Sequence, residues 1–153
     1  MNKTRRDAGF TLVEIMIAVA IIAILVAIAF PAYRMFYMRA KTSEAVRNMS
    51  AIRALQVSHK GVYDTYLTLA AHPAVVPSSF QAWGVPADPN WAEIGFAPDG
   101  RVRYQYRVEV GNSGDIRTSF KVIAQTDFDS KGPPDDTWTL TEDRTLVHTD
   151  RYK

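Results

Sequence analysis

"AGFTLVEIMIAVAIIAILVAIAFPAY", residues 8–33, sets a single carboxylate five residues into an otherwise apolar run. Glu14 is the only charged side chain between Phe10 and Phe30. An ionisable group at membrane depth costs roughly 2.5–3.5 kcal/mol on insertion scales, so such groups carry a task and a partner. Phe10 to Phe30 extends about 31 Å as a helix, which matches the hydrocarbon thickness of a bilayer. A secretory signal peptide would also begin with basic residues and an apolar run, and Ala27-Ile28-Ala29 offers an A-x-A-like cleavage site. The run exceeds the usual h-region and contains Glu14, and both features argue for a retained segment. A plain transmembrane anchor is the second simple reading. Charge bias does not orient it, because Arg34, Arg39, Lys41 and Arg47 follow the run and outnumber Lys3, Arg5 and Arg6 before it.

The leader Lys3-Thr4-Arg5-Arg6-Asp7-Ala8-Gly9, the block Phe10-Thr11-Leu12-Val13-Glu14 and the apolar run ending at Pro31 together resemble a type IV prepilin. The resemblance implies removal of residues 1–9 by a prepilin peptidase, between Gly9 and Phe10, and N-methylation of Phe10. It implies that residues 10–31 stay as a transmembrane helix and later as a filament core, with Phe10 and Glu14 in assembly and a helix bend at Pro31. It further implies storage in the inner membrane, extraction by an ATPase-driven assembly platform, and a homopolymer with minor pilins in an extracellular pilus. Motility, adhesion and DNA uptake are all compatible with that role. Pseudopilins of type II secretion share the leader and helix. The D-P-W-G-x-x-Y pattern of major pseudopilins is missing, and Asp88-Pro89-Asn90-Trp91 is only a partial echo of it. A membrane-tethered binding module that never polymerises is the reading from a different class.

The 153 residues suit one domain. The formal charge of +2 comes from the N-terminal flank, where Lys3, Arg5 and Arg6 outweigh Asp7. The remainder is balanced, so the basic isoelectric point does not point to nucleic acid. No cysteine is present, which excludes disulfides, thiol catalysis and cysteine zinc sites.

Past Pro31 the apolar pattern narrows to a stripe. Tyr33, Phe36, Tyr37 and Ala40, then Ala45, Met49, Ile52 and Leu55, predict an amphipathic helix over 32–60 that stops near Gly61, with the aromatics read as core. Residues 61–153 then form the head. Pro73, Pro77, Pro86, Pro89 and Pro98 make 62–100 loop-rich. Arg101–Val110 alternates with Val102, Tyr104, Tyr106, Val108 and Val110 on one face. A turn at Gly111-Asn112-Ser113-Gly114 leads to Ile116, Thr118, Phe120, Val122 and Ala124. Trp138 and Leu140 mark a third strand and Leu146–Thr149 a fourth. The expectation is an α+β fold: a long helix packed on an antiparallel sheet of about four strands.

"DFDSKGPPDD", Asp127–Asp136, is the one acidic cluster with a metal reading. Asp127, Asp129 and Gly132 reproduce the D-x-D-x-x-G opening of a calcium loop, and Asp135 and Asp136 could close it. Lys131 stands where an oxygen ligand belongs and no glutamate ends the loop, so an Asx-rich turn is the simpler reading. With no disulfide available to pin this region, a metal or tight packing of Trp138 would substitute. Arg101, Arg103, Arg107, Arg117 and Lys121 form a basic strand face. Without aromatics beside them they read as solvated surface sooner than as a nucleic-acid groove. His59, His72 and His148 lack metal-ligand spacing, and no nucleophile elbow, P-loop or dinucleotide fingerprint is present. The sequence therefore reads as non-enzymatic.

Overall fold

The computed structural model describes residues 10–128, 130 and 132–150. Helix α1 runs from Leu12 to Tyr63 and passes through Pro31 without interruption. Proline there removes one backbone donor and crowds the preceding turn, a local weakness in an otherwise strong helix former. The helix continues through Gly61 and ends where Asp64 takes a left-handed conformation, φ 57°. The Asp64 N–H donates to the Lys60 carbonyl at 2.9 Å, which satisfies one of the last orphan acceptors.

The chain divides into two compact units, Met1–Ala40 and Lys41–Lys153. In the first, Leu12–Tyr33 is 22 residues long, apolar enough to cross a membrane, and wholly unburied. Tyr33, Phe36 and Tyr37 are 67%, 68% and 49% exposed. This corrects the core reading of those aromatics: helical periodicity shows that a face is apolar, not that this chain covers it.

In the second unit α1 contributes Ala45, Met49 and Ile52, all fully buried, with Leu55 half-buried beside them. They pack on an antiparallel sheet ordered β1-β4-β5-β6-β7, built from Leu69–His72, Gln105–Val110, Phe120–Thr126, Asp136–Thr141 and Leu146–Asp150. A separate pair joins β2, Gln81–Ala82, to β3, Arg101–Val102. A short helix α2, Asn90–Ile94, ends at Gly95 with φ 76°, a left-handed value that glycine adopts without Cβ strain. Val102, Tyr104, Tyr106 and Val108 are buried as the alternation predicts, and so are Phe120, Val122 and Ala124.

Two boundaries differ from expectation. Arg101–Val110 is split at Arg103-Tyr104, because the Arg103 N–H donates to the Glu44 side chain at 2.8 Å and leaves the ladder. Ile116 and Thr118 lie in a turn, and β5 begins only at Phe120. The sheet has five strands because β1 lies inside the loop-rich segment.

Candidate functional site

The apolar helix begins with a side-chain cap. Thr11 Oγ1 accepts the Glu14 N–H at 3.2 Å, and the Thr11 carbonyl accepts the Ile15 N–H at 3.3 Å. Thr11 is thus the N-cap and Glu14 the third helical residue, the T-x-x-E spacing of a capping box. Sequence reasoning treated Glu14 alone and missed Thr11, although that spacing was legible. A carboxylate in the first turn also faces the positive end of the helix dipole. Phe10 precedes the cap and is 78% exposed. Gly9 lies outside the described residues. Over the following turns the apolar side chains are exposed among the described residues, and a contiguous surface of this size belongs in lipid or against other helices.

The acidic cluster is organised largely by its own hydrogen bonds. Asp127 accepts the Ser130 N–H at 2.9 Å, an Asx-type turn, and its own N–H donates to the Pro77 carbonyl at 2.9 Å. Asp135 is buried, and both its carboxylate oxygens lie within 3.0 Å of the Phe128 N–H. Asp136 is buried too, and accepts from Tyr104 Oη, from Trp138 Nε1 at 3.3 Å and from His148 Nε2 at 2.6 Å. Asp129 lies outside the described residues. Among the described residues no three histidine, aspartate or glutamate side chains gather closely enough to hold a metal. The Trp138 ring stacks on His148 with centroids 3.7 Å apart, so tight packing does hold this region.

The basic strand face is divided among local partners. Arg107 and Lys121 both pair with Glu109, at 2.7 and 3.2 Å. Partial burial pushes the Glu109 carboxyl up, but those two cations outweigh it and hold the group below the usual carboxylate range. Arg103 lies over the Phe80 ring at 3.6 Å, and Arg101 donates to the Phe80 carbonyl at 2.5 Å. His59 sits between the Thr65 carbonyl and Glu93, and His72 meets the Trp83 carbonyl. Each of these groups serves the fold.

An exposed bilayer-length helix with a capped, carboxylate-bearing start, followed by a helix-backed antiparallel head, defines a membrane-anchorable α+β protein. Residues 4–30 match the family model described as the prokaryotic N-terminal methylation motif. The type IV major pilin protein PilA of Myxococcus xanthus is 39% identical over 118 residues, covering 72% of this chain and 44% of that protein. A fimbrial protein of Moraxella nonliquefaciens is 62% identical over 37 residues, 24% of each chain. A fimbrial protein of Pseudomonas aeruginosa is 51% identical over 49 residues, 32% of each chain. The chain thus spans less than half the length of these relatives. No solved structure matches it. Residues 4–30 thus carry the prokaryotic N-terminal methylation motif, and over 118 residues the chain is similar to a type IV major pilin.

Proposed function

We propose that this protein is a structural subunit of a type IV pilus. The observation that carries the reading is the methylation motif leading into Leu12–Tyr33, a 22-residue helical segment long and apolar enough to cross a membrane. A segment of that kind is stored in the inner membrane and, on assembly, exchanges lipid for the helices of neighbouring subunits. Prepilin peptidase would cut between Gly9 and Phe10, leaving an α-amino group on Phe10 that is then methylated. The assembly platform and its ATPase would lift the anchored subunit into a surface filament of like chains and minor pilins. A pseudopilin role uses the same helix in a shorter filament, and a tethered, non-polymerising module would use it only as an anchor.

Glu14 is the discriminating residue. In a bilayer its carboxylate and the Phe10 amine are both poorly solvated. In a filament, a staggered neighbour could bring its own Phe10 amine against Glu14. Leaving one buried charge unpaired costs about 3–5 kcal/mol, while a matched pair roughly breaks even, so the glutamate would select register and partner more than it adds stability. Tagged Glu14→Ala protein co-expressed with wild type should be inserted and cleaved normally, yet be depleted in sheared filaments relative to membranes. Equal shares in both fractions would favour the tethered module. An uncut Met1 terminus, found by mass spectrometry, would remove the pilin reading altogether.

A further inference from the structure

Three non-glycine residues among those described take a positive φ: Asp64 at 57°, Ser130 at 58° and Arg144 at 70°. A side chain strains that conformation, so each position calls for a reason. Ser130 has one, since its N–H donates to Asp127. Asp64 stands just past α1, where a helix usually places glycine. Arg144 closes the turn between β6 and β7, again a position that glycine usually fills. Its N–H donates to the Thr141 carbonyl at 3.1 Å. Neither its guanidinium nor the Asp64 carboxylate has a partner among the described residues. Two strained turns thus hold opposite charges free.

Their surroundings match as well. Arg144 lines an open cleft of about 280 Å³ with Val46, Ser50, Arg53, Leu140 and Leu146. Arg53 is held there by two bonds from its guanidinium to the Glu142 carbonyl, at 2.9 and 2.6 Å. The cleft therefore sets two cations beside aliphatic side chains, and Leu146 is exposed at its edge. The acids of the turn do not neutralise them. The Asp143 carboxylate accepts from Thr141 Oγ1 and from the Thr145 N–H, and among the described residues no ion pair joins Glu142 to either arginine. Asp64 has the converse setting, with Val62 and Tyr63 exposed beside it. Asp99 is exposed too, but it lies between Pro98 and Gly100 with Arg101 next in line, and has no such apolar flank. About three helical turns, roughly 16 Å, separate Arg53 from Asp64 along α1, so the two patches of one chain do not meet.

We infer that the acidic knob Val62-Tyr63-Asp64 of one copy docks in the Arg53–Arg144 cleft of the next. Asp64 meets the guanidinium forks, which suit a carboxylate, while Val62 and Tyr63 cover Val46 and Leu146. The two surfaces differ and lie at different heights on α1, so the contact is heterologous. Contacts of that type close into rings or run on as open helical filaments. The inference rests on the pilus reading and deepens it, by naming where one head grips the next. Apolar helices packed together hold the copies at high effective concentration, so the contact need not join isolated heads.

The test uses the full chain in cells, where the lack of native cysteine lets single thiols be placed at will. Filaments of Asp64→Cys/Arg144→Cys, treated with a short bis-maleimide, should give a ladder of dimers, trimers and longer species on denaturing gels. Each single-cysteine variant should give none. Filaments that form but yield no ladder, or a single variant that yields dimers as readily, would overturn the contact and leave the pilus reading intact. Charge reversal supplies a second readout. Arg144→Glu should lower the yield of sheared filaments by about ten-fold, and adding Asp64→Arg should recover several-fold of that loss. An undiminished Arg144→Glu yield, or a double variant no better than Arg144→Glu, would also overturn the pairing. Melting of each full-length variant in detergent, matched to wild type, shows that the head is folded. Wild type that makes no filaments would refute the pilus reading instead. The same ladder in membranes then decides the contact, supporting it if present and overturning it if absent.

Discussion

Asp136 shows how much one side chain carries in a head without disulfides. Its buried carboxylate accepts from Tyr104, Trp138 and His148 and so joins β6 to β7 and to the residue just before β4. Replacing His148 with alanine removes one donor and the ring that stacks on Trp138, leaving the carboxylate short of a partner. The expected loss is about 1–3 kcal/mol in denaturant unfolding, with hydrogen exchange rising first in β7. The neighbouring tyrosines set an alkaline limit. Burial first, then the Asp136 hydrogen bond, pushes the Tyr104 hydroxyl far above its ordinary range; burial and then Glu44 do the same to Tyr106. A group whose folded pKa is raised contributes fully below its unfolded value and loses that contribution above it. Stability should therefore hold to about pH 10 and fall beyond, as the unfolded chain ionises first. Urea titrations between pH 8 and 11 check this, and ionisation of these two tyrosines at pH 10 without unfolding would contradict it. Gly111 is constrained differently. A Cβ there would stand 2.6 Å from Ser119 Oγ and 2.8 Å from the Phe120 nitrogen, so Gly111→Ala should lower stability by roughly 1–3 kcal/mol in the same assay.

The sheet closes one of its edges with side chains. Ala70 in β1 donates its N–H to Asp88 at 2.7 Å and accepts from Trp91 Nε1 at 2.9 Å, while Asn90 donates to the Thr68 carbonyl at 3.0 Å. The Asp88-Pro89-Asn90-Trp91 segment thereby occupies groups that a foreign strand would otherwise pair with. Asp88→Ala should cost about 1–2 kcal/mol and raise light scattering near the melting transition; a destabilised variant that stays monodisperse would show that the edge is protected by other means. This element also marks the limit of sequence reading. Strands β4 to β7 and the buried stripe of α1 were legible because alternation and helical spacing persist over several residues. Leu69–His72 has four residues and no alternation, and side chains from Asp88 and from α2 complete its hydrogen bonding. The break at Arg103 was hidden for a similar reason, since Glu44 reaches it from a helix 59 positions earlier. At the N-terminus the motif residues could be named from sequence. The cap by Thr11 was legible in the same T-x-x-E spacing though it went unread, whereas the exposure of Tyr33, Phe36 and Tyr37 could not follow from periodicity.

The second unit has its own buried apolar cluster, which runs from Ala45 to Leu140. The head therefore has the core it needs to fold alone, while Leu12–Tyr33 is an exposed apolar segment long enough to cross a membrane. Removing residues 1–33 should give a fragment that is soluble without detergent and monomeric in sedimentation. Its melting temperature should stay within about 4 °C of the full chain in mild detergent, since a shift of that size corresponds to roughly 1 kcal/mol in a domain of this length. A much larger drop would mean that the head depends on the N-terminal helix. The same fragment tests the acidic turn in isolation. Asp135 and Asp136 already accept hydrogen bonds inside the fold, so a calcium site would have to rest on Asp127 and Asp129 with backbone oxygens. Two carboxylates make a weak site for a cation that takes six to eight oxygens. Millimolar calcium should accordingly leave the melting temperature unchanged. A rise of several degrees that disappears in Asp127→Ala would instead establish a calcium site, because a ligand that binds only the native state stabilises it by mass action.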